Sequence, residues 1–151
     1  MKLTKPITLV ALLFTLSACA VADVQQYGTI DPNDKTVTVH TGGGGLNGQL
    51  KGILNSRGFK LTVDSGPKVT EGTMGEKTRL VSYETMRTRY RLQVHTKIYD
   101  SCITGDPAII YDVSFIDNQS GSEIFTINGR GCQSWAVDEF KKALEAKPEK
   151  Y

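Results

Sequence analysis

Residues 36–65 read TVTVHTGGGGLNGQLKGILNSRGFKLTVDS. Val37 and Val39 alternate with Thr36, Thr38 and His40, the two-residue period of a half-buried strand. Four consecutive glycines, Gly42 to Gly45, break that strand. Leu46, Leu50, Ile53 and Leu54 then fall at i, i+4, i+7 and i+8, one apolar stripe of a helix that stops near Gly58. Phe59, Leu61 and Val63 alternate with Lys60, Thr62 and Asp64 in a second strand. The spacing therefore predicts a strand, helix, strand unit.

Downstream the period changes. Residues 65–85 are glycine-rich and mixed, which predicts a mobile loop or irregular hairpin with at most a short strand at Arg79 to Tyr83. From Met86 to Cys102, Tyr90, Leu92, Val94 and Ile98 alternate with Arg87, Arg89, Arg91, Gln93, His95 and Lys97. Two further alternating runs, Ala108 to Asp117 and Glu123 to Arg130, are joined by the turn Asp117-Asn118-Gln119-Ser120-Gly121. These three runs predict an antiparallel meander. Val137, Phe140 and Leu144 then mark a last helix over 134–146, ending before Pro148. The fold class expected is α+β: a two-layer sandwich, about five strands in a mixed sheet, with two helices on one face.

Upstream, Lys2 and Lys5 precede the apolar run Ile7 to Leu16, interrupted only by Thr8 and Thr15, and then small residues. That is the n-region, h-region and cleavage site of a secretory signal. The apolar run is about ten residues, whereas a membrane-spanning helix needs about 20. Leu16-Ser17-Ala18-Cys19 resembles the lipobox of bacterial lipoproteins. The resemblance implies cleavage before Cys19, a diacylglyceryl thioether on its sulfur and an acylated amine. Ala20, in place of Asp, resembles lipoproteins passed on to the outer membrane, with the domain on its periplasmic face. The expected organisation is a signal peptide at 1–18, a lipidated N-terminus and flexible tether at 19–34, and one periplasmic domain at 35–151.

Residues 1–18 carry Lys2 and Lys5, so the 18 basic side chains fall to 16 in the mature chain, level with 16 acidic ones. A balanced charge lacks the basic surface that nucleic-acid backbones require, and no nucleic-acid partner is expected. With Cys19 lipidated, Cys102 and Cys132 remain as an even pair in an oxidising compartment, and a disulfide is expected. A meander brings them to the same edge with a strand between them. A Cα separation above about 7 Å cannot be bridged, so one of the two must leave the sheet; Gly129 and Gly131 favour Cys132.

Gly43-x-Gly45-x-x-Gly48, with Gly52 beyond it and Asp64 closing the second strand, matches a dinucleotide-binding fingerprint in residue type and position. In a nucleotide-binding protein or enzyme Gly43, Gly45 and Gly48 would admit a pyrophosphate to the helix N-terminus and Asp64 would meet a ribose. The alternative is a tight strand-to-helix turn with the helix close on the sheet at Gly48 and Gly52. Chain length and the antiparallel second half favour that alternative, and no cofactor is expected. Arg87, Arg89, Arg91 and Lys97 form a possible binding surface for acidic groups, or else the solvated face of a sheet. His40 and His95 stand apart from other ligand-type residues, so no metal site is expected. No nucleophile elbow or acid pair is evident, and the chain is read as non-catalytic.

Gly48-Gln49-Leu50 to Gly58-Phe59-Lys60-Leu61, and the hairpin Ala108 to Gly131, are similar to segments of the small periplasmic α/β domain of penicillin-binding-protein-activator and curli-secretion lipoproteins. The resemblance implies an accessory protein of the cell envelope with an envelope protein or peptidoglycan as partner. A pilotin-like lipoprotein of a secretion system is the alternative within that class.

Overall fold

A computed structural model describes residues 21–64, 69–73, 79–83 and 88–147. In chain order they form β1 (Val21–Gln26), β2 (Thr36–Val39), α1 (Gly45–Ser56), β3 (Lys60–Val63), β4 (Val69–Thr73), β5 (Arg79–Tyr83), β6 (Tyr90–Ser101), β7 (Pro107–Asp117), β8 (Glu123–Cys132) and α2 (Gln133–Glu145). The main sheet is mixed and six-stranded, in the order β1-β8-β7-β6-β2-β3. β2 runs parallel to both β3 and β6, as the strand, helix, strand unit requires. β6, β7 and β8 form the antiparallel meander. β4 and β5 pair antiparallel in a separate two-stranded sheet, while the rest of 65–85 lies outside the described residues.

The sixth strand corrects the expected tether at 19–34. Val21–Gln26 lies antiparallel along β8, from Val21 opposite Arg130 to Gln26 opposite Phe125. The alternation there is weak because this edge strand sets Ala22 opposite Gly129, where neither residue offers a large side chain. Downstream, Asp31 N–H donates to Tyr90 Oη at 2.7 Å, so the following turn is also held to the domain.

The core lies between one sheet face and both helices. α1 buries Leu46, Leu50 and Leu54, and α2 buries Ala136, Phe140 and Ala143, in one cluster with Val37, Tyr90, Leu92, Val113, Phe115 and Ile127. The strand members share a face, since Leu92 stands opposite Phe115 and Val94 and Ile127 both stand opposite Val113. Phe59, Tyr90, Phe115, Phe125 and Phe140 run through the core as a chain of aromatic contacts, with successive centroids 5.1 to 6.3 Å apart. Each such side chain contributes about 1.5–3 kcal/mol by leaving water, and each aromatic pair about 0.5–1.5 kcal/mol more.

The middle of the other sheet face is polar. Gln93, Ser114 and Thr126 make one cross-strand row, and His95, Asp112 and Asn128 make the next. Neither helix covers it, because one apolar face per strand suffices to build the two-layer core.

Candidate functional site

The glycine loop joins the carboxyl end of β2 to α1. Gly42 and Gly45 hold φ values of 88° and 56°, a region that side chains with a Cβ rarely adopt. The Gly43 carbonyl lies against the α carbon of Gly48, in the space where a Cβ would grow. Lys51 Nζ donates to the carbonyl of His40 at 2.7 Å and also to that of Gly42, and Asn47 Nδ2 reaches the Thr41 carbonyl at 3.2 Å. At Gly48 the chain thus uses for its own carbonyl the close approach that a dinucleotide fingerprint reserves for a phosphate. Asp64 follows β3 beside the same edge, its N–H donating to the Val39 carbonyl at 2.9 Å. So Gly43, Gly45, Gly48 and Asp64 do converge at the carboxyl ends of two parallel strands. Gly52 does not join them: it is exposed, and a Cβ there would meet nothing within 4 Å, which corrects the expected sheet contact.

The arginine row is not one surface. Arg87 lies outside the described residues. Arg89 sits in a bend before β6 and turns to Asp117, with its Nη2 at 2.8 Å from Oδ2, while its Nη1 donates to Gln119 Oε1. Asp117 is buried, and burial pushes its carboxyl up. Hydrogen bonds from the Gln119 and Ser120 N–H groups, with the Arg89 guanidinium, outweigh that and hold it below the usual carboxylate range. Arg89 and Asp117 therefore clamp the β7–β8 turn to the start of β6. Arg91, half-buried, and Lys97, exposed, remain on the outer sheet face.

At the opposite end of the sheet, Cys102 and Cys132 form a disulfide with a Cα separation of 6.0 Å. Cys132 closes β8 opposite Ala108, and Cys102 is the residue outside the sheet, in the turn after β6. Beside the bridge, Asp106 Oδ2 accepts from Ser134 N–H at 2.6 Å. α2 has no cap from its own N-cap side chain, so this carboxylate from another turn satisfies an otherwise open donor and faces the positive end of the helix. The sequence carried a signal for this contact only in the placement of Asp106 within the loop that the disulfide closes.

Two surface recesses flank α2. One of about 480 Å³ lies between the helices, lined by Gln49, Gly52, Ile53, Asp106, Val137 and Lys141. The other, about 380 Å³, includes Ala22, Tyr111, Trp135 and Glu139. Burial and then the nearby Glu139 charge raise the Tyr111 phenol above its ordinary pKa. Among the described residues no group of three or more His, Cys, Asp or Glu side chains gathers to hold a metal, and no helix is long and apolar enough to cross a membrane.

No protein-family model matches the chain, and no curated protein matches it. Solved structures similar to it include the PelC dodecamer from Paraburkholderia phytofirmans, at 13% identity over 84% of this chain and 99% of that one, with a TM-score of 0.49. A PelC variant dodecamer from the same organism gives 14% identity over 82% and 95% of the two chains, with a TM-score of 0.46. Likeness at this level carries no inference about function.

Proposed function

We propose that this chain is a lipid-anchored periplasmic protein, acylated at Cys19 and held on the inner face of an outer membrane, that serves an envelope machine by binding. The observation that carries this reading is the Leu16-Ser17-Ala18-Cys19 box after a charged and apolar leader. The disulfide between Cys102 and Cys132 agrees with an oxidising compartment. The segments similar to cell-wall and curli accessory lipoproteins form α1 to β3 and the β7–β8 hairpin. The partner is an envelope protein or peptidoglycan. Regulation of a cell-wall machine and assistance to a secretion apparatus are the two forms of the role, and they are separated by what crosslinks to the anchored protein.

Fractionation tests the proposal. Wild-type protein should sediment with outer membranes and the Cys19→Ser variant should appear in soluble periplasm. Wild-type protein free in the periplasm would sink the reading.

The rival reading, a nucleotide-binding protein or enzyme, rests on the convergence of Gly43, Gly45, Gly48 and Asp64. The Gly43 carbonyl, already seated in the close approach at Gly48, weighs against it. Micromolar binding of NAD(P) or ATP, abolished by Gly45→Val in a folded protein, would establish that rival.

A further inference from the structure

We infer that the exposed apolar end of the β6–β7 hairpin is a membrane-docking face, seated in the interfacial layer of the bilayer that holds the lipid on Cys19. The inference rests on the lipoprotein reading above.

Register places the face. Val21, the first residue of β1, stands opposite Arg130, Arg130 opposite Ile110, and Ile110 opposite Lys97. The next row toward the hairpin end is Gly131, Ile109 and Ile98. Beyond it lies the 102–106 turn. β1 is antiparallel to β8, so Val21 lies at the end of β1 nearer that turn. Only two residue steps separate Cys19 from Val21, a reach of about 7 Å at about 3.3–3.6 Å each. A lipid on Cys19 thus brings this end of the domain to the bilayer, in place of a domain standing off on a long tether.

That end is also where exposed apolar side chains gather. Of the eight large hydrophobics exposed among the described residues, Ile98, Tyr99, Ile103, Ile110 and Trp135 lie here. Ile103 at the turn is fully exposed, and Ile98 is 67% exposed. Trp135 packs beside Gly131, where a Cβ would come within 2.6 Å of its ring, and stays 44% exposed. The Arg130 guanidinium lies 4.2 Å from the centre of the Tyr99 ring. Tryptophan, tyrosine and a snorkelling cation around aliphatic side chains are the composition of a membrane–water interface. Lys97 and Arg130 are matched by Asp100 and Asp106, so apolar burial and the acyl anchor, rather than anionic lipid, hold the face.

Trp135 is the only tryptophan in the chain and reports directly. Full-length acylated protein is placed in phosphatidylethanolamine–phosphatidylglycerol vesicles containing lipids brominated high on the acyl chain. Trp135 emission should shift to the blue and be quenched. Ile98→Asp with Ile103→Asp should lose the quenching while the protein stays on the vesicles through its acyl chains. An Ile103→Trp reporter in a Trp135→Phe background should be quenched more strongly than Trp135. Unquenched tryptophan at both positions in vesicle-bound protein overturns the docking face and leaves the anchor standing. So does a paired Asp variant that keeps its quenching, or one whose only effect is to dissociate an oligomer. Absence of an acyl group on Cys19 overturns the anchor, and the docking face with it.

Discussion

The Gly43 carbonyl occupies the space into which any side chain at Gly48 would grow. The obstacle is backbone, in a loop whose preceding residues His40 and Thr41 are bonded to Lys51 and Asn47, so it cannot swing aside as a flexible side chain would. Gly48→Ala should destabilise the domain by about 1–3 kcal/mol, as overpacking does. Gly52→Ala, with open space around it, should be neutral or stabilise by up to about 1 kcal/mol through helix propensity. Urea unfolding of both variants checks the contrast; equal effects would mean that the loop does not close on the helix.

The bond from Ser134 N–H to Asp106 ties the β6–β7 turn to the start of α2. Asp106→Ala should cost about 0.5–2 kcal/mol, the usual effect of losing a cap. Faster amide exchange at Ser134 and its neighbours would accompany the loss. Unchanged exchange there would show that water replaces the carboxylate without penalty.

The disulfide closes a loop with a sequence separation of 30 residues. Cys102→Ser with Cys132→Ser should lower stability by about 3–4 kcal/mol in the chain-entropy model. Wild-type protein should show a similar loss only when a reductant is present. Indifference to reductant would contradict a formed bridge.

Asp117 gives the acid side of the stability curve a specific origin. Its folded pKa lies below the unfolded one, so the stabilisation is fully present above the unfolded value of about 3.9 and disappears as pH falls through the folded value. Asp117→Asn should cost about 1–3 kcal/mol at pH 7 by weakening bonds to a buried charge. The gap between variant and wild type should begin to narrow as pH falls below about 4, where the unfolded carboxyl takes up a proton, and should close as the folded carboxyl follows at lower pH. Denaturant titrations at neutral and acid pH decide it; a gap that widens on acidification would contradict the assignment.

Much of this architecture could be read from periodicity. The strand, helix, strand unit and the meander announce themselves through side chains that alternate or recur at helical spacing, because one face of every such element must be apolar. The disulfide followed from an even cysteine pair that the meander brings to one edge, although its departure from the sheet came at Cys102 rather than near Gly131. β1 escaped because it pairs with a strand that carries Gly129 and Gly131, leaving little for Ala22 to pack against. Arg89 escaped for a different reason. Extending the two-residue period back from Arg91 sets Arg89 on the outer face, but residues 88–89 form a bend, and parity does not cross a bend. Gly52 follows the fingerprint by one helical turn yet is exposed, so spacing alone does not reveal which glycine is sterically required. The capping of α2 by Asp106 depends on two turns meeting in space, for which local sequence offers no period.

The anchored role depends most directly on Cys19. Cells supplied with labelled palmitate should yield labelled protein whose mature N-terminus begins at Cys19, and Cys19→Ser should carry no label. Label that persists in Cys19→Ser, or a wild-type chain cleaved elsewhere and free of label, would contradict the anchored role.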